Sequence, residues 1–205
     1  MRKLRSVGLA FCAMILLPGI GAAQDSGREL ELTVPGPELC SGEPLQMDQI
    51  MAVAGTPLSE ASPEVAAASP NPDAATPTPF IAPTGTPASD ETTAEVTRLV
   101  MQLYACQNAN DQARAFALFS DGYLTRLLQS STPRPEGFLN PGAASGTPVP
   151  DPVEVAVHFV VELRPDVYGV DVIGRYPATD TEFTDYLIVV RSGGELRVDD
   201  IIDLT

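Results

Sequence analysis

Hydrophobic residues between Thr92 and Leu128 recur at the spacing of helices that bury one face. The first group with the spacing i, i+3, i+4, i+7 consists of Val96, Leu99, Val100 and Leu103. Thr92 and Glu95 fit a capping box, in which the hydroxyl accepts a free backbone N–H and the carboxylate reaches back. The pattern therefore predicts one long amphipathic helix that begins near Thr92.

A polar turn is expected to end this helix. The run Asn108-Ala109-Asn110-Asp111 predicts a break, because Asn and Asp tolerate left-handed backbone and bond their own main chain. Asp111 can then cap a second, shorter helix, and a further turn at Ser120–Gly122 precedes a third. The apolar face of the third helix consists of Tyr123, Leu124, Leu127 and Leu128. Such helices cannot bury their faces alone and need a sheet to lie on.

The C-terminal third predicts that sheet, because strand-like runs follow one another there with short links between them. The four runs are Val153–Leu163, Val167–Tyr176, Glu182–Arg191 and Leu196–Leu204. In the first run, strict alternation places Val157 and Phe159 on one face and His158 on the other. Links such as Ser192-Gly193-Gly194 indicate hairpins. The predicted fold class is α+β, with N-terminal helices packed on a curved, mainly antiparallel sheet.

The first 23 residues have the pattern of an export signal. A basic start is followed by the apolar run Val7–Leu17, which is too short to span a bilayer. Small residues at Gly21 and Ala23 predict cleavage after Ala23, and an uncleaved anchor is the alternative. The predicted location is therefore secreted or at the cell surface, with membrane contact only during export.

Composition divides the remaining chain into three parts. Residues 24–55 are expected to form a small N-terminal segment, with a short strand at Arg28–Val34 and a short helix at Leu45–Ala54. Residues 56–90 are rich in Pro, Ala and Thr and have few large apolar side chains, which predicts an extended, disordered linker, either bare or O-glycosylated. Residues 91–205 hold the α+β domain. Within it, Ser130–Pro152 is expected to be a long loop, either disordered or partly a lid.

The chain is strongly acidic, with a formal net charge of −15 over 205 residues. Loss of residues 1–23 would leave 9 basic against 27 acidic residues, a net charge of −18, and no lysine. A nucleic-acid partner is therefore not expected, because no basic patch remains to bind a phosphate backbone. The acidity favours solubility, and calcium or a cationic ligand is the alternative, although no acidic calcium-loop motif is present.

Two cysteines remain after the leader, Cys40 and Cys106. In an oxidising compartment such a pair is most often a disulfide, which would staple the N-terminal segment to the first helix of the domain. A metal site is not expected, because two Cys and one His lack a fourth ligand and close spacing. A catalytic Cys106 would need a nearby imidazole, and His158 is distant in sequence. No cofactor is expected.

Four residues are candidates for acid–base chemistry: His158, Asp171, Asp185 and Tyr186. His158 is the one imidazole of the chain, and imidazole is a side-chain group suited to the role of a general base. Either Asp could act as a base if burial raised its pKa. The structural alternatives are a solvated histidine, carboxylates that face water and a tyrosine in the core.

The order of elements resembles the nuclear-transport-factor-2-like superfamily, also called SnoaL-like. The resemblance covers about residues 92–204 and is carried by the long first helix, the turn Cys106–Asp111, the following ARAFALFSDGYL and the closing GGELRVDDIIDL. It implies a cone-shaped α+β fold whose sheet surrounds a pocket for a small apolar molecule. Enzymes of this superfamily place an Asp or His base and a Tyr or Asp donor inside that pocket.

The function that these features favour is an exported, non-catalytic module that binds a small apolar ligand or a protein partner. The alternative is an isomerase, cyclase or dehydratase of the SnoaL or ketosteroid-isomerase type that acts on a small apolar substrate. A third hypothesis is a structural domain that forms a homodimer through the exposed face of its sheet. Convergence of His158, Asp171 and a tyrosine in one cavity would favour the enzyme.

Overall fold

The protein was analysed as a computed structural model, which describes residues 30–55, 80–130 and 149–204. A short 3₁₀ turn at Pro37–Leu39 precedes the helices, which are α1 (Met47–Ala54), α2 (Asp90–Asn108), α3 (Gln112–Phe116) and α4 (Asp121–Ser130). The strands are β1 (Thr86–Pro87), β2 (Glu154–Arg164), β3 (Val167–Tyr176), β4 (Thr181–Ser192) and β5 (Glu195–Asp203). The predicted loop at 130–152 and the leader lie mostly or wholly outside the described residues.

All five strands form one antiparallel sheet in the order β1-β2-β3-β4-β5. The four predicted strands are confirmed, and so is the antiparallel meander that joins them. The turns use left-handed backbone where it is needed: φ is 63° at Asp166 and 51° at Asp180, and glycine supplies it at Gly193 and Gly194. The fold class is therefore α+β.

The helices cover one face of the sheet, which we call the inner face. Helix α2 packs on β2 and β5, and α4 packs on β5. The core between these layers includes strand residues Val155, Val170, Val172, Leu187, Val189 and Val198. Helix α2 contributes the predicted stripe Val96, Leu99, Val100 and Leu103, all buried. The opposite side of the sheet is called the outer face.

Two details of the predicted helix starts can be compared with the structure. Asp111 caps α3 as predicted, since its side chain accepts a hydrogen bond from the backbone N–H of Arg114. The predicted capping box at Thr92 is wrong, because the helix begins earlier and Ser89 is its N-cap. The Ser89 hydroxyl accepts from the Thr92 N–H, while Glu95 forms an ion pair with Arg191 on the sheet.

The predicted alternation along β2 is also wrong beyond Val157. A β-bulge between Val157 and Phe159 adds one residue, so both His158 and Phe159 stand beside Asp171 of β3. Phe159 is 40% exposed, whereas Val160 is buried in the core. A bulge shifts the side-chain period by one residue, which sequence alternation alone does not reveal.

The N-terminal segment belongs to the same core as the helices. Ile50 of α1 is fully buried in that core, and the Thr125 hydroxyl donates to the carbonyl of Val53. The structure brings the Sγ atoms of Cys40 and Cys106 to disulfide distance, with the Cα atoms 4.6 Å apart. The strand expected at Arg28–Val34 is instead a single antiparallel bridge between Thr33 and Val155 in the described residues.

Residues 80–89, which we call the strap, cross the outer face. The Phe80 ring packs on Tyr186 at a centroid distance of 5.6 Å, and the Tyr186 hydroxyl donates to the carbonyl of Pro83. A Cβ at Gly85 would lie 2.4 Å from a backbone oxygen of β2, so glycine permits this close approach. The prediction of a disordered linker therefore does not hold for residues 80–89, because they supply apolar contacts and β1. Residues 56–79 lie outside the described ranges.

Candidate functional site

The sheet separates the four candidate residues that the sequence suggests. His158, Asp171 and Tyr186 lie at the outer face, whereas Asp185 belongs to the inner face. Successive residues of β4 point to opposite faces, so Asp185 and Tyr186 diverge although they are adjacent in sequence. The candidates therefore form two separate groups.

The outer group is held together by the β2 bulge. The Nδ1 atom of His158 lies 2.8 Å from a carboxylate oxygen of Asp171, and the His158 side chain is half exposed. Asp171 is only 9% exposed, so the expectation that it faces water is wrong. Its carboxylate orients the imidazole, and this arrangement can hold a proton between the two groups.

Tyr186 does not complete an acid–base set with this pair. Its side chain is fully buried under Phe80, and its hydroxyl donates to the Pro83 carbonyl at 3.3 Å. A Cβ at Gly169 would lie 1.9 Å from that hydroxyl oxygen, so the ring fills the space above this glycine. Burial, and then the negative charge of Asp171, raise the pKa of Tyr186. These features make Tyr186 part of the outer core.

On the inner face, Asp185 stands among aromatic rings near the end of the β3–β4 hairpin. The Tyr104 hydroxyl of α2 donates to the Asp185 carboxylate at 2.7 Å. Phe183 lies between two tyrosines, with centroid distances of 6.2 Å to Tyr104 and 4.9 Å to Tyr176. We call Tyr104, Tyr176, Phe183 and Asp185 the inner-face cluster.

Strand periodicity and one glycine position this cluster. Phe183 and Asp185 are two residues apart on β4, so both side chains point to the inner face. Gly174 is the cross-strand partner of Phe183, and a Cβ there would lie 2.1 Å from the phenyl ring. Because Gly174 has no side chain, the Phe183 ring can lie flat on β3. Tyr104 is almost fully buried, whereas Tyr176 is 47% exposed and forms the open edge.

The electrostatics of the cluster are those of a carboxylate partly removed from water. Burial raises the pKa of Asp185, the hydrogen bond from Tyr104 opposes that shift, and the charge of Asp203 adds to it. Asp203 is the cross-strand partner of Asp185 on β5. Among the residues that the structure describes, no arginine lies within ion-pair distance of Asp185. Burial and the charge of Asp185 in turn raise the pKa of Tyr104.

Helix α4 adds a second tyrosine–carboxylate group beside the cluster. Burial, and then the charge of Asp200, raise the pKa of Tyr123 to about 12, while Arg126 opposes the shift. The Arg126 guanidinium lies 5.7 Å from the centre of the Tyr123 ring. Burial also raises the pKa of Asp200. The negative charge of Asp200 on β5 therefore acts on Tyr123 at this end of the inner face.

Sequence reasoning overlooked Tyr176 and Phe183 as site residues. The available signal was the period of two along β4, which places Asp185 on the same face as the buried Leu187 and Val189. A carboxylate within an otherwise apolar strand face indicates a special site. The contribution of Tyr176 depends on the β3–β4 register, which becomes visible only in the assembled sheet.

Two open clefts lie elsewhere, between the N-terminal segment and the β4–β5 hairpin. Their volumes are about 420 and 490 Å³, and both are lined by Leu45, Ala117, Glu195 and Arg197. Glu195 and Arg197 already form an ion pair at 2.5 Å. Neither cleft contains a residue of the inner-face cluster, which remains the better candidate because it combines burial, charge and aromatic surface.

Neither a metal nor a membrane span is indicated in the parts of the chain that the structure describes. No group of three or more His, Cys, Asp or Glu side chains there could hold a metal ion. No helix in those ranges is both long and apolar enough to cross a bilayer.

No family model matches the chain, and comparisons with curated proteins and with solved structures likewise give no match. The assignment of a function therefore depends on the fold and on the geometry of the inner-face cluster.

Proposed function

We propose that this protein is an exported, non-catalytic module that binds a small molecule at the inner-face cluster. The observation that carries this proposal is the half-buried Asp185, which is hydrogen-bonded by Tyr104 and walled by the rings of Tyr176 and Phe183. Small-molecule sites combine mostly apolar walls with a few placed polar groups, and the cluster has that composition.

The proposal includes a cone-shaped, nuclear-transport-factor-2-like fold for the domain. Support comes from the antiparallel order of β2 to β5, which follows three helices, of which α2 and α4 pack on one face of the sheet. In such a cone, the site lies between the helices and the inner face. The Tyr104–Asp185 pair spans that space from α2 to β4.

Export is the second element of the proposal. The basic and apolar pattern of residues 1–23 supports a cleaved leader, and the closeness of Cys40 and Cys106 supports an oxidising compartment. A disulfide between these residues would hold the N-terminal segment on α2 outside the cell.

The alternative is an isomerase, cyclase or dehydratase with Asp185 as its base, and the raised pKa of Asp185 favours it. The hydrogen bonds favour the non-catalytic function. Tyr104 and Asp185 would serve as donor and base, but they are hydrogen-bonded to one another, so the hydroxyl proton of Tyr104 is already donated and is not available to a substrate. The other two base candidates, His158 and Asp171, are hydrogen-bonded to each other on the opposite face.

A nuclear magnetic resonance screen tests the proposal directly. The ¹⁵N-labelled chain from residue 24 onward would be mixed with a set of small aromatic, aliphatic and amine-bearing probes. We expect amide shifts of Tyr104, Tyr176, Phe183 and Asp185 to change with at least one probe, because a ligand between α2 and β4 alters the ring currents there.

The same spectra contain their own control. The amide of Asp166 lies at the other end of β3 and should not move with such a probe. Shifts confined to the Arg197 clefts or to the outer face would contradict the proposal, and so would a screen in which the cluster responds to no probe.

A further inference from the structure

The two open clefts beside the β4–β5 hairpin adjoin each other and form one groove, which we call the hairpin groove. Leu45, Ala117, Glu195 and Arg197 line both clefts. One wall of the groove is residues 41–46 of the N-terminal segment, and the opposite wall is the start of β5. The lining includes no residue of the inner-face cluster, so a ligand of this groove would be independent of the proposed small-molecule site.

The edge of β5 presents backbone groups that are not used by the sheet. Ser192 and Glu195 close a two-residue hairpin loop, and the closing pair of such a loop exchanges both of its backbone hydrogen bonds. Bonded and non-bonded pairs alternate along an antiparallel ladder, so the next pair, Arg191 and Leu196, is not bonded. The N–H and C=O of Leu196 therefore point away from β4, toward the free side of β5.

Val198, two residues further along β5, shows how such outward groups are satisfied. Its N–H donates to the carbonyl of Leu118, and its C=O accepts from the N–H of Ser120, so that segment runs beside β5 as a parallel partner. Ala117 is the C-cap of α3 and has helical backbone, so the chain turns away there and leaves the edge at Leu196 uncovered. Among the described residues, no group bonds to the N–H or C=O of Leu196.

The opposite wall is tied to the helices although it has no regular structure. The side chain of Gln102 donates to the carbonyl of Ser41. Arg114 donates from Nε to the carbonyl of Gly42 at 3.1 Å, and its charge is paired with Asp111. A groove whose wall is already fixed loses little conformational freedom when a ligand enters it.

The charged side chains of the groove favour a basic occupant. Glu195 and Arg197 already pair with each other at 2.5 Å, so their charges cancel. Glu43 lines one cleft and Asp121 the other, and neither has an ion-pair partner within the described ranges. The net charge of −15 would draw the same kind of partner toward the molecule.

We propose that the hairpin groove binds an extended, basic peptide segment of a partner protein, which adds to the sheet as a strand beside β5 at Leu196. In this mode of recognition, backbone hydrogen bonds to the sheet edge give affinity and side chains give specificity. Leu196 supplies one backbone donor and one acceptor to the peptide. Glu43 and Asp121 attract its basic side chains.

Three short peptides of alternating threonine and valine test this inference on the ¹⁵N-labelled chain from residue 24 onward. The first carries an arginine at each end, the second is the same peptide with its central amides N-methylated, and the third carries glutamate at each end. We expect the first to shift the amides of Leu196 and of residues 41–46. The other two should bind at least about tenfold more weakly, because one lacks backbone donors and the other has the wrong charge.

Hydrogen exchange of two amides on β5 distinguishes strand addition from other contacts. In the free protein the amide of Leu196 should exchange faster than that of Val198, which already donates to Leu118. When about nine-tenths of the protein is bound to the arginine peptide, exchange at Leu196 should slow by about tenfold, because only the free fraction exchanges. Exchange at Val198 should change little.

Two variants test the charge preference. Glu43→Gln and Asp121→Asn each remove one carboxylate from the groove and should weaken binding of the arginine peptide by about threefold, as expected for an exposed charge pair. Asp180→Asn is the matched control, because it removes an exposed carboxylate from the turn between β3 and β4, at the opposite end of the sheet from the β4–β5 hairpin. Its left-handed backbone, with φ of 51°, accepts asparagine, and the affinity should stay unchanged.

Four results would overturn the inference. Equal binding of the N-methylated peptide, with no protection at Leu196, would exclude pairing with β5, and equal binding of the glutamate peptide would exclude a basic partner. Shifts spread over the acidic surface and weakened as much by Asp180→Asn as by Glu43→Gln would show non-specific attraction. The fourth is an unmoved Leu196 amide at millimolar peptide. None of these results concerns small-molecule binding at the inner-face cluster, which the probe screen tests separately.

Discussion

Asp185 is a carboxylate that folding partly removes from water, and its charged form is therefore less favourable in the folded state. Its pKa in the folded chain lies above its ordinary value because of burial and the charge of Asp203. A group with a raised folded pKa contributes stability below its unfolded pKa, and this contribution disappears as pH rises through the folded pKa. At neutral pH, Asp185 consequently costs stability, which is common for residues retained for binding.

The substitution Asp185→Asn should therefore stabilise the protein at neutral pH. Asparagine still accepts the hydrogen bond from Tyr104 but removes both the desolvated charge and its repulsion by Asp203. We expect the melting temperature of the variant to exceed that of the wild type at pH 7. The difference should shrink toward zero near pH 3, where the wild-type carboxyl is also neutral.

The pH dependence separates this effect from a general change in surface charge. Asp166→Asn removes an exposed carboxylate from the same sheet, so its melting temperature should follow the wild type closely across the same range. Two results would contradict the partial burial of the Asp185 charge. One is a melting temperature of Asp185→Asn below that of the wild type at pH 7. The other is a difference in melting temperature between the two proteins that grows as the pH falls.

Single residues also show what the sequence can and cannot reveal. The capping role of Asp111 follows from local chemistry and is predictable. The contact of His158 with Asp171 cannot be predicted in this way. It depends on a β-bulge that shifts the alternation of side chains between the two faces of β2 halfway along the strand. The Tyr104–Asp185 hydrogen bond joins residues 81 positions apart and requires the docking of α2 on the sheet.

At the scale of the elements, the strap covers part of the outer face of the sheet and shields it from solvent. Phe80 covers Tyr186, and β1 extends the sheet beside β2, so an edge and an apolar surface are both covered by the chain itself. The third hypothesis from the sequence, a homodimer through an exposed outer face, would have to displace or include this strap. Phe159 of β2 and Ile81 of the strap itself are exposed apolar side chains.

Two neighbouring residues of the strap allow a matched test of this role. Phe80→Ala removes the ring that packs on Tyr186 and should lower the free energy of unfolding by about 2 kcal/mol, less than for a fully buried phenylalanine. Ile81 is 82% exposed, so Ile81→Ala should change the free energy of unfolding by less than about 0.5 kcal/mol. Urea unfolding monitored by circular dichroism measures both, and equal effects would contradict the packing of the strap.

The elements differ in how well their sequences predict them. Strands β2 to β5 lie within one residue of the predicted runs at each end, because turn residues between alternating apolar runs specify hairpins locally. The strap was assigned to the linker because its composition is that of a disordered segment. Its order comes from Phe80 and from the free edge of β2, and neither partner is local in sequence.

At the scale of the whole molecule, the N-terminal segment is part of the domain and not an appendage. Ile50 lies in the central core, the backbone N–H of Leu45 donates to the carbonyl of Ala113, and Thr33 pairs with Val155. Residues 56–79, whose structure is not described, connect this segment to the strap in sequence. A covalent bond across that interval would therefore constrain the unfolded chain considerably.

A Cys40–Cys106 disulfide closes a sequence separation of 66 residues, for which the chain-entropy model gives about 4 kcal/mol of stabilisation. Reduction of the wild type should lower its urea midpoint by a corresponding amount, and the double variant Cys40→Ala/Cys106→Ala should resemble the reduced protein. The variant serves as the control because reductant should leave its midpoint unchanged. A wild type whose midpoint does not respond to reductant, and whose intact mass shows both thiols, would mean that the burial of Ile50 and the hydrogen bonds of Leu45 and Thr33 hold the segment without a disulfide.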